Sequence, residues 1–391
     1  MKNLAPTKEL TKKQRMQARI RRVKPLSGRL CVGCACVLFS LIWLVSILPN
    51  QSYAYQANQK SNDEMELYFV GDIALGRGIK KQGAVLGYDS IYENVSDFWT
   101  DADFVFANLE SAVLQDKLSS YEESEKNLHL WTDYDGLELT RKAGVNVFAC
   151  ANNHAFDYGE RPVLELEEYF KKNGVIYAGI GSSLGEAATY HILEHNGIRI
   201  AFLSITDVYY KYSAATESQG GILTTAYADY NQLVNQASKD ADMTIVYVHW
   251  GVENQKTVSD DQVSLGHQLI NAGADIVVGS HPHVVQRTEL YKDGIIFYSL
   301  GNFIFDQGNT YARDSIMIRY TADQNGNGAF CIYPIRISDG VPMITTKQFY
   351  QARITQTLTD QMDENSFSLD ENGFVEVPFN FTVTTQEESI V

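Results

Sequence analysis

Half of the eight histidines in this 391-residue chain stand where an apolar run gives way to a turn, in company with carboxylates and asparagines. The run LYFV leads into Gly71 and Asp72, DFVFA into Asn108 and Glu110, and VNVFACA into Asn153 and His154. TIVYV leads into His249, and DIVVGS into His281 and His283. Imidazole, carboxylate and amide carbonyl together form the donor set of a borderline or hard divalent ion such as Zn, Mn or Fe. In SHPH, Pro282 stands between the two imidazoles, and its fixed φ favours the bend that aims both at one centre. His129, His191, His195 and His267 end no apolar strand and read as ordinary core or surface residues.

Residues at the ends of separate strands meet only if a sheet holds those strands side by side. In an α/β sheet, ligands collect outside the carboxyl ends of the strands, where the loops converge. From about Met65 to Asn302 strand and helix patterns alternate, which argues for an α/β domain. RPVLELEEYFKKNG predicts a helix with Pro162 in its first turn and Gly174 beyond its last. Ser259 is placed to cap a second helix that ends near Gly273. Asn196-Gly197 and Asp293-Gly294 read as hairpin turns, and after Arg313 the pattern is all strand. Hairpins added to βα units predict two sheets packed face to face with helices outside.

Six motifs in order make the residues recognisable: GDIALGR (71–77), ANLES (107–111), ANNHAFDYG (151–159), HWGVE (249–253), GSHPHVVQ (279–286) and SLGNFIFD (299–306). Over roughly residues 65–306 they resemble the CapA-type bacterial capsule-synthesis proteins, associated with poly-γ-glutamate capsules. The chain is more remotely similar to the calcineurin-like metallophosphoesterases. That similarity implies a four-layer fold, two β-sheets flanked by helices, and a site for one or two divalent metals.

The resemblance also implies roles. Asp72, Asn153, His249, His281 and His283 match ligand positions, and His154 matches the histidine that assists the leaving group. The histidine expected two residues after the first aspartate is Ala74 here, and ANLE replaces the bridging aspartate. Glu110 is therefore the candidate bridge. One position would hold Glu110, Asn153, His249 and His281, and the other Asp72, Glu110 and His283. Glu253, four residues beyond His249, could complete the second position or act as a general base. Arg77, Asn108 and Asn302 are candidate substrate contacts, Arg77 through bidentate bonding to carboxylate or phosphate.

Charge divides the chain unevenly. Residues 1–29 hold ten Lys or Arg against Glu9, and residues 30–48 carry no charge. A 19-residue uncharged run is long enough to cross a hydrocarbon core of roughly 30 Å, with the basic flank cytoplasmic. Small residues at Ser52 and Ala54 offer signal-peptidase cleavage as the alternative, but the run and its leader are long for a signal peptide. The expectation is a cytoplasmic leader (1–29), a membrane helix (30–48), a linker (49–63), a domain (64–350) and a polar extension (351–391). The domain then faces outward from the cell membrane. From residue 30 onward the net charge is −25, which excludes nucleic acid as a partner held by the general field. Cys150 and Cys331, in apolar runs, read as buried thiols and not a disulfide framework.

Three functions fit. The chain could be a metal-dependent hydrolase acting on a phosphate ester or an acyl centre, with His154 protonating the leaving group. It could be a membrane-tethered component of capsular polyglutamate synthesis, export or anchoring, alongside other capsule-synthesis membrane components. It could also bind polymer without cutting it.

Overall fold

The computed structural model describes residues 64–227 and 229–383, with residues 12, 13, 16, 36, 37 and 40 of the N-terminal segment. The expected linker, and nearly all of the expected membrane helix and of the leader, thus lie outside the described residues. Among those described, no helix is long and apolar enough to cross a membrane.

Six strands carry the site: β1 (Met65–Ile73), β2 (Phe104–Leu109), β3 (Val147–Ala149), β4 (Met243–His249), β5 (Ile276–Ser280) and β6 (Asn302–Ile304). β1, β2 and β3 run parallel in a ten-stranded sheet, with β6 parallel to the end of β1. β4 and β5 are parallel neighbours in a six-stranded sheet that also holds Ile198–Thr206 and Gly294–Phe297.

Alternation along each strand explains the layers. Leu67 and Phe69 of β1 point between the sheets, where they join Phe106, Phe202, Ile245, Tyr247 and Val278. Tyr68 and Val70 point the other way, into a cluster with Val163, Leu166 and Phe170 of helix α1 (Glu160–Asn173). Val246, Val248 and Val277 turn outward from the second sheet onto Leu265 and Leu269 of α2 (Asp260–Ala272). The described domain is thus layered helix, sheet, sheet, helix, as the sequence pattern leads one to expect. Buried on both faces, β1 carries the unbroken apolar run LYFV (67–70) between Glu66 and Asp72. The Tyr247 hydroxyl crosses between the sheets to donate to the carbonyls of Phe106 (3.1 Å) and Val70 (3.3 Å).

Local signals mark the helix ends. α1 stops at Gly174 in the left-handed region, and α2 starts at Ser259, which forms a reciprocal capping box with Gln262. Asn196 and Gly197 make the expected hairpin turn. The second turn falls one residue earlier than expected: Tyr291 pairs with Gly294, leaving Lys292 (φ 53°) and Asp293 in the loop. Cys150 is buried, Cys331 is partly buried, and both are free thiols.

The expected domain end at 350 falls inside helix α3 (Gln348–Leu358). Ile354 and Leu358 of α3 enter the core between the sheets, and Val375–Pro378 extends the larger sheet alongside Gly328–Ser338. The polar residues between the few apolar ones hide this pattern, because the added strand buries only alternate side chains.

Candidate metal centre

Strand register assembles the site. Asp72 lies opposite Asn108 on one side and Asn302 on the other. Asn108 donates from Nδ2 to Asp72 Oδ1 at 2.8 Å. In the second sheet His249 lies opposite Ser280, and His249 Nδ1 is 2.9 Å from Ser280 Oγ. Two glycines allow the close approach. A Cβ on Gly71 would stand 1.9 Å from the Gly301 carbonyl, and one on Gly279 would stand 2.0 Å from that of Tyr298.

β5 ends at Ser280, so His281 and His283 are loop residues rather than strand neighbours sharing a face. The bend is carried by the histidines themselves, at φ 93° and 57°. Left-handed backbone at a non-glycine residue costs about 1–3 kcal/mol and persists where surrounding contacts impose it. His283 Nδ1 lies 2.9 Å from Asn302 Oδ1 and 3.1 Å from Asp72 Oδ2, which turns Nε2 toward Glu110 Oε1 at 3.5 Å. Such outer partners orient imidazoles in metal sites.

The cluster faces itself with acceptors. With Nδ1 donating to Ser280, His249 Nε2 carries a lone pair, and it meets Asn153 Oδ1 at 2.9 Å and Glu110 Oε1 at 3.8 Å. Glu110 Oε1 and His281 Nδ1 are buried with no hydrogen-bond partner. Ligand atoms of Glu110, His281 and His283 lie within 4.8 Å of one another, as do those of Asp72, Glu110 and His249. Glu110 belongs to both groups, the position of a bridge. These triads pair His281 with His283 and Asp72 with His249, a different division from the one the resemblance implies. Converging lone pairs repel one another, and a divalent cation turns them into ligands, so the residues fit the metal.

Burial sets the protonation of the cluster. It pushes His249 well below the usual imidazole range, reinforced by His281 and His283. His281 falls to about 3 by burial and then by His283. These are neutral imidazoles, the form that binds metal. Burial, then the nearby Asp72 and Glu253 carboxylates, hold Glu110 well above the usual carboxylate range. A bound cation reverses that last effect.

His154 lies at the edge of the cluster, its Nε2 4.0 Å from Glu110 Oε1. Its Nδ1 donates to Asp157 Oδ2 at 2.7 Å, so Nε2 faces the centre as an acceptor. Burial lowers its affinity for a second proton, against the pull of Asp157. Asp157 also accepts the Leu130 N–H at 2.6 Å and pairs with the buried Lys126 ammonium. Lys126 donates to the Asn153 carbonyl at 2.7 Å and lies 3.2 Å from His154 Nδ1.

Four positions join the site that sequence reasoning does not single out. Asn152, Asp157 and Ser280 lie inside recognised motifs, and their proximity to the ligands is the available signal. Asn152 is fully buried; it bonds Asn108 Oδ1 (3.1 Å) and the Leu109 carbonyl (2.8 Å), and accepts the His154 N–H (3.0 Å). Lys126, in an acidic stretch without periodicity, gives no local signal.

The candidate substrate contacts separate. Asn108 and Asn302 are buried and hydrogen-bonded to Asp72 and His283. Arg77 (φ 46°) turns to a salt bridge with Asp306 over the Phe305 ring, outside the ligand cluster. Glu253 is exposed on the loop beyond His249, and its charge is felt at Glu110 and Lys126.

The bacterial capsule synthesis protein family PGA_cap matches residues 66–307. The chain is 31% identical over 381 residues to the capsule biosynthesis protein CapA of Bacillus anthracis, covering 95% of this chain and 92% of that one. It is 36% identical over 325 residues to the PGA biosynthesis protein CapA of Bacillus subtilis strain 168, covering 83% and 84%. Among solved structures, TT1561 of Thermus thermophilus aligns with 66% of this chain and 98% of its own at 12% identity and a TM-score of 0.37.

Proposed function

This chain belongs to the bacterial capsule synthesis protein family PGA_cap, and from that premise we propose that it acts in the synthesis, export or anchoring of a poly-γ-glutamate capsule through its metal centre. The observation that carries the reading is the cluster of Asp72, Glu110, Asn153, His249, His281 and His283, with a buried Glu110 oxygen left without a partner. The proposal places the domain outside the cell, held by the uncharged N-terminal run behind its basic leader. Protease applied to intact cells should then remove the domain, and full protection would refute that placement.

A bound Zn, Mn or Fe ion would supply Lewis-acid polarisation of a substrate oxygen. The chain does the rest. Asp72, Glu110 and the three imidazoles would hold the ion, with the partly exposed Asn153 beside them. His154 accepts and returns a proton at Nε2, steadied at Nδ1 by Asp157. Glu253 stands at the rim as a further base. The His154–Asp157 pair beside the ligands favours a hydrolytic step, on an amide or a phosphate ester, over passive binding of polymer.

One capsule-complementation assay separates these readings. Asp72→Ala and His281→Ala should both fail. If His154→Ala fails with them while its protein is folded and correctly located, turnover is required. Full complementation by His154→Ala would leave the site binding or organising polymer, and the hydrolytic reading would be withdrawn.

A further inference from the structure

The loops that carry the histidine ligands do not end at the metal centre. The segment after His249 continues to Lys256 and Asp260, and the segment after His283 continues to Arg287. These residues, with the outer face of α3, line a cleft of about 500 Å³. The two segments are fastened together along the way. Asn254 N–H donates to the Pro282 carbonyl at 2.8 Å, and Gln286 Nε2 to the Gln255 carbonyl at 2.9 Å. Gln262 Nε2 holds Gln286 Oε1 at 2.8 Å. A shift at the cleft is therefore coupled to the backbone of the ligand loops.

Three cations line this cleft: Lys256, Arg287 and Arg353. Arg353 and Arg336 share one carboxylate, Asp314, so that group carries surplus positive charge. Arg353 Nε is a buried donor without a partner. Lys256 is exposed, with its ammonium 4.2 Å from the centre of the Tyr311 ring. In a body of net −25 beyond the leader, an anionic chain is repelled at long range and needs a local foothold of this kind.

Carboxylates are not the whole ligand, because Asp260 and Asp360 line the same cleft beside the amide of Gln356 and the hydroxyl of Thr357. Phosphate oxygens only accept hydrogen bonds, and two aspartates repel them. A chain that alternates carboxylates with amide N–H groups satisfies both kinds of lining. We infer that this cleft is a binding site for an acidic, amide-linked chain, which it holds beside the metal centre through Lys256 and Arg353. The choice of glutamate as the repeat rests on the proposed function; the carboxylate and amide chemistry rests on the lining.

The test uses the purified full chain in detergent and a labelled short γ-linked glutamate oligomer. Lys256→Glu and Asp360→Lys both alter exposed side chains. Lys256→Glu should weaken oligomer binding by roughly tenfold, and Asp360→Lys should tighten it. His281→Ala should retain binding. Unchanged affinity in Lys256→Glu would overturn the inference, as would loss of binding in His281→Ala alone, which places the oligomer at the metal centre. Inorganic tripolyphosphate competing as well as the oligomer would overturn the amide-chain assignment. The proposed function fails separately, through capsule complementation by the metal-ligand variants. A wild-type protein that ignores the oligomer while those variants still lose capsule defeats the cleft alone.

Discussion

The two ends of the six-stranded sheet treat their buried charged and titratable groups oppositely. At the amino ends the carboxylates are bonded to backbone amides, and a lone Thr244 hydroxyl is buried without a partner. Asp242 accepts the Arg199 N–H at 2.8 Å and Asp275 the Thr244 N–H at 2.7 Å, while the Asp275 N–H donates back to the Thr244 carbonyl at 2.9 Å. At the carboxyl ends, His249, His281 and His283 crowd acceptors against acceptors, in left-handed backbone at two of the three, and leave Glu110 Oε1 and His281 Nδ1 unsatisfied. Buried polar groups are nearly always paired. An end whose carboxylates are bonded is architecture, whereas one that crowds unpaired acceptors together is shaped for something else.

The largest effect that sharpens this contrast is removal of metal. A ligand bound only by the folded state stabilises it by about 1.4 kcal/mol for every tenfold excess over Kd, so an ion held at a hundred-thousandfold excess contributes about 7 kcal/mol. Chelation should lower the melting temperature of the wild-type protein and leave that of His281→Ala unmoved. Equal shifts in both proteins would place the metal elsewhere.

Lys126→Met comes next. It strands the buried Asp157 carboxylate that now pairs with the ammonium, and breaking a buried pair costs about 3–5 kcal/mol. Denaturant unfolding measures that loss. Asp157→Asn with Lys126→Met should recover much of it.

The amino end offers a smaller, pH-dependent test. Burial pushes Asp275 up to about 6, above its unfolded value, so charging it opposes folding. Its stabilising share is therefore present at low pH and lost as pH rises through the window from about 4 to 6. Asp275→Asn should match wild type near pH 4 and exceed it by about 2–3 kcal/mol above pH 7. An advantage independent of pH would show that the carboxyl group is not the cause. The smallest effect belongs to Arg77→Ala, whose exposed pair with Asp306 is worth about 0–1 kcal/mol. Metal content in that variant should be unchanged.

Much of the site is legible in the amino-acid sequence. A strand announces itself by a run of apolar residues, and a ligand at its end by residue type, which is how His249, His281, Asp72 and Glu110 stand out. The caps at Ser259 and Gly174 are equally local. What stays hidden depends on distant partners. Lys126 reaches Asp157 and His154 only through the folded course of its loop. Arg77 lies five residues from Asp72, yet its backbone and Asp306 turn it outward. Asn302 reads as a candidate substrate contact, and only the fold shows it opposite Asp72 with its Oδ1 2.9 Å from His283 Nδ1. The strand Val375–Pro378 buries alternate residues within polar sequence and cannot be told from a tail by pattern alone.

Elemental analysis of the purified full chain tests the central claim most directly. The expected result is at least one divalent transition metal ion per wild-type chain, severe loss of it in His281→Ala and Glu110→Ala, and full retention in His154→Ala. Wild-type metal content in His281→Ala and Glu110→Ala would contradict a metal centre at these residues.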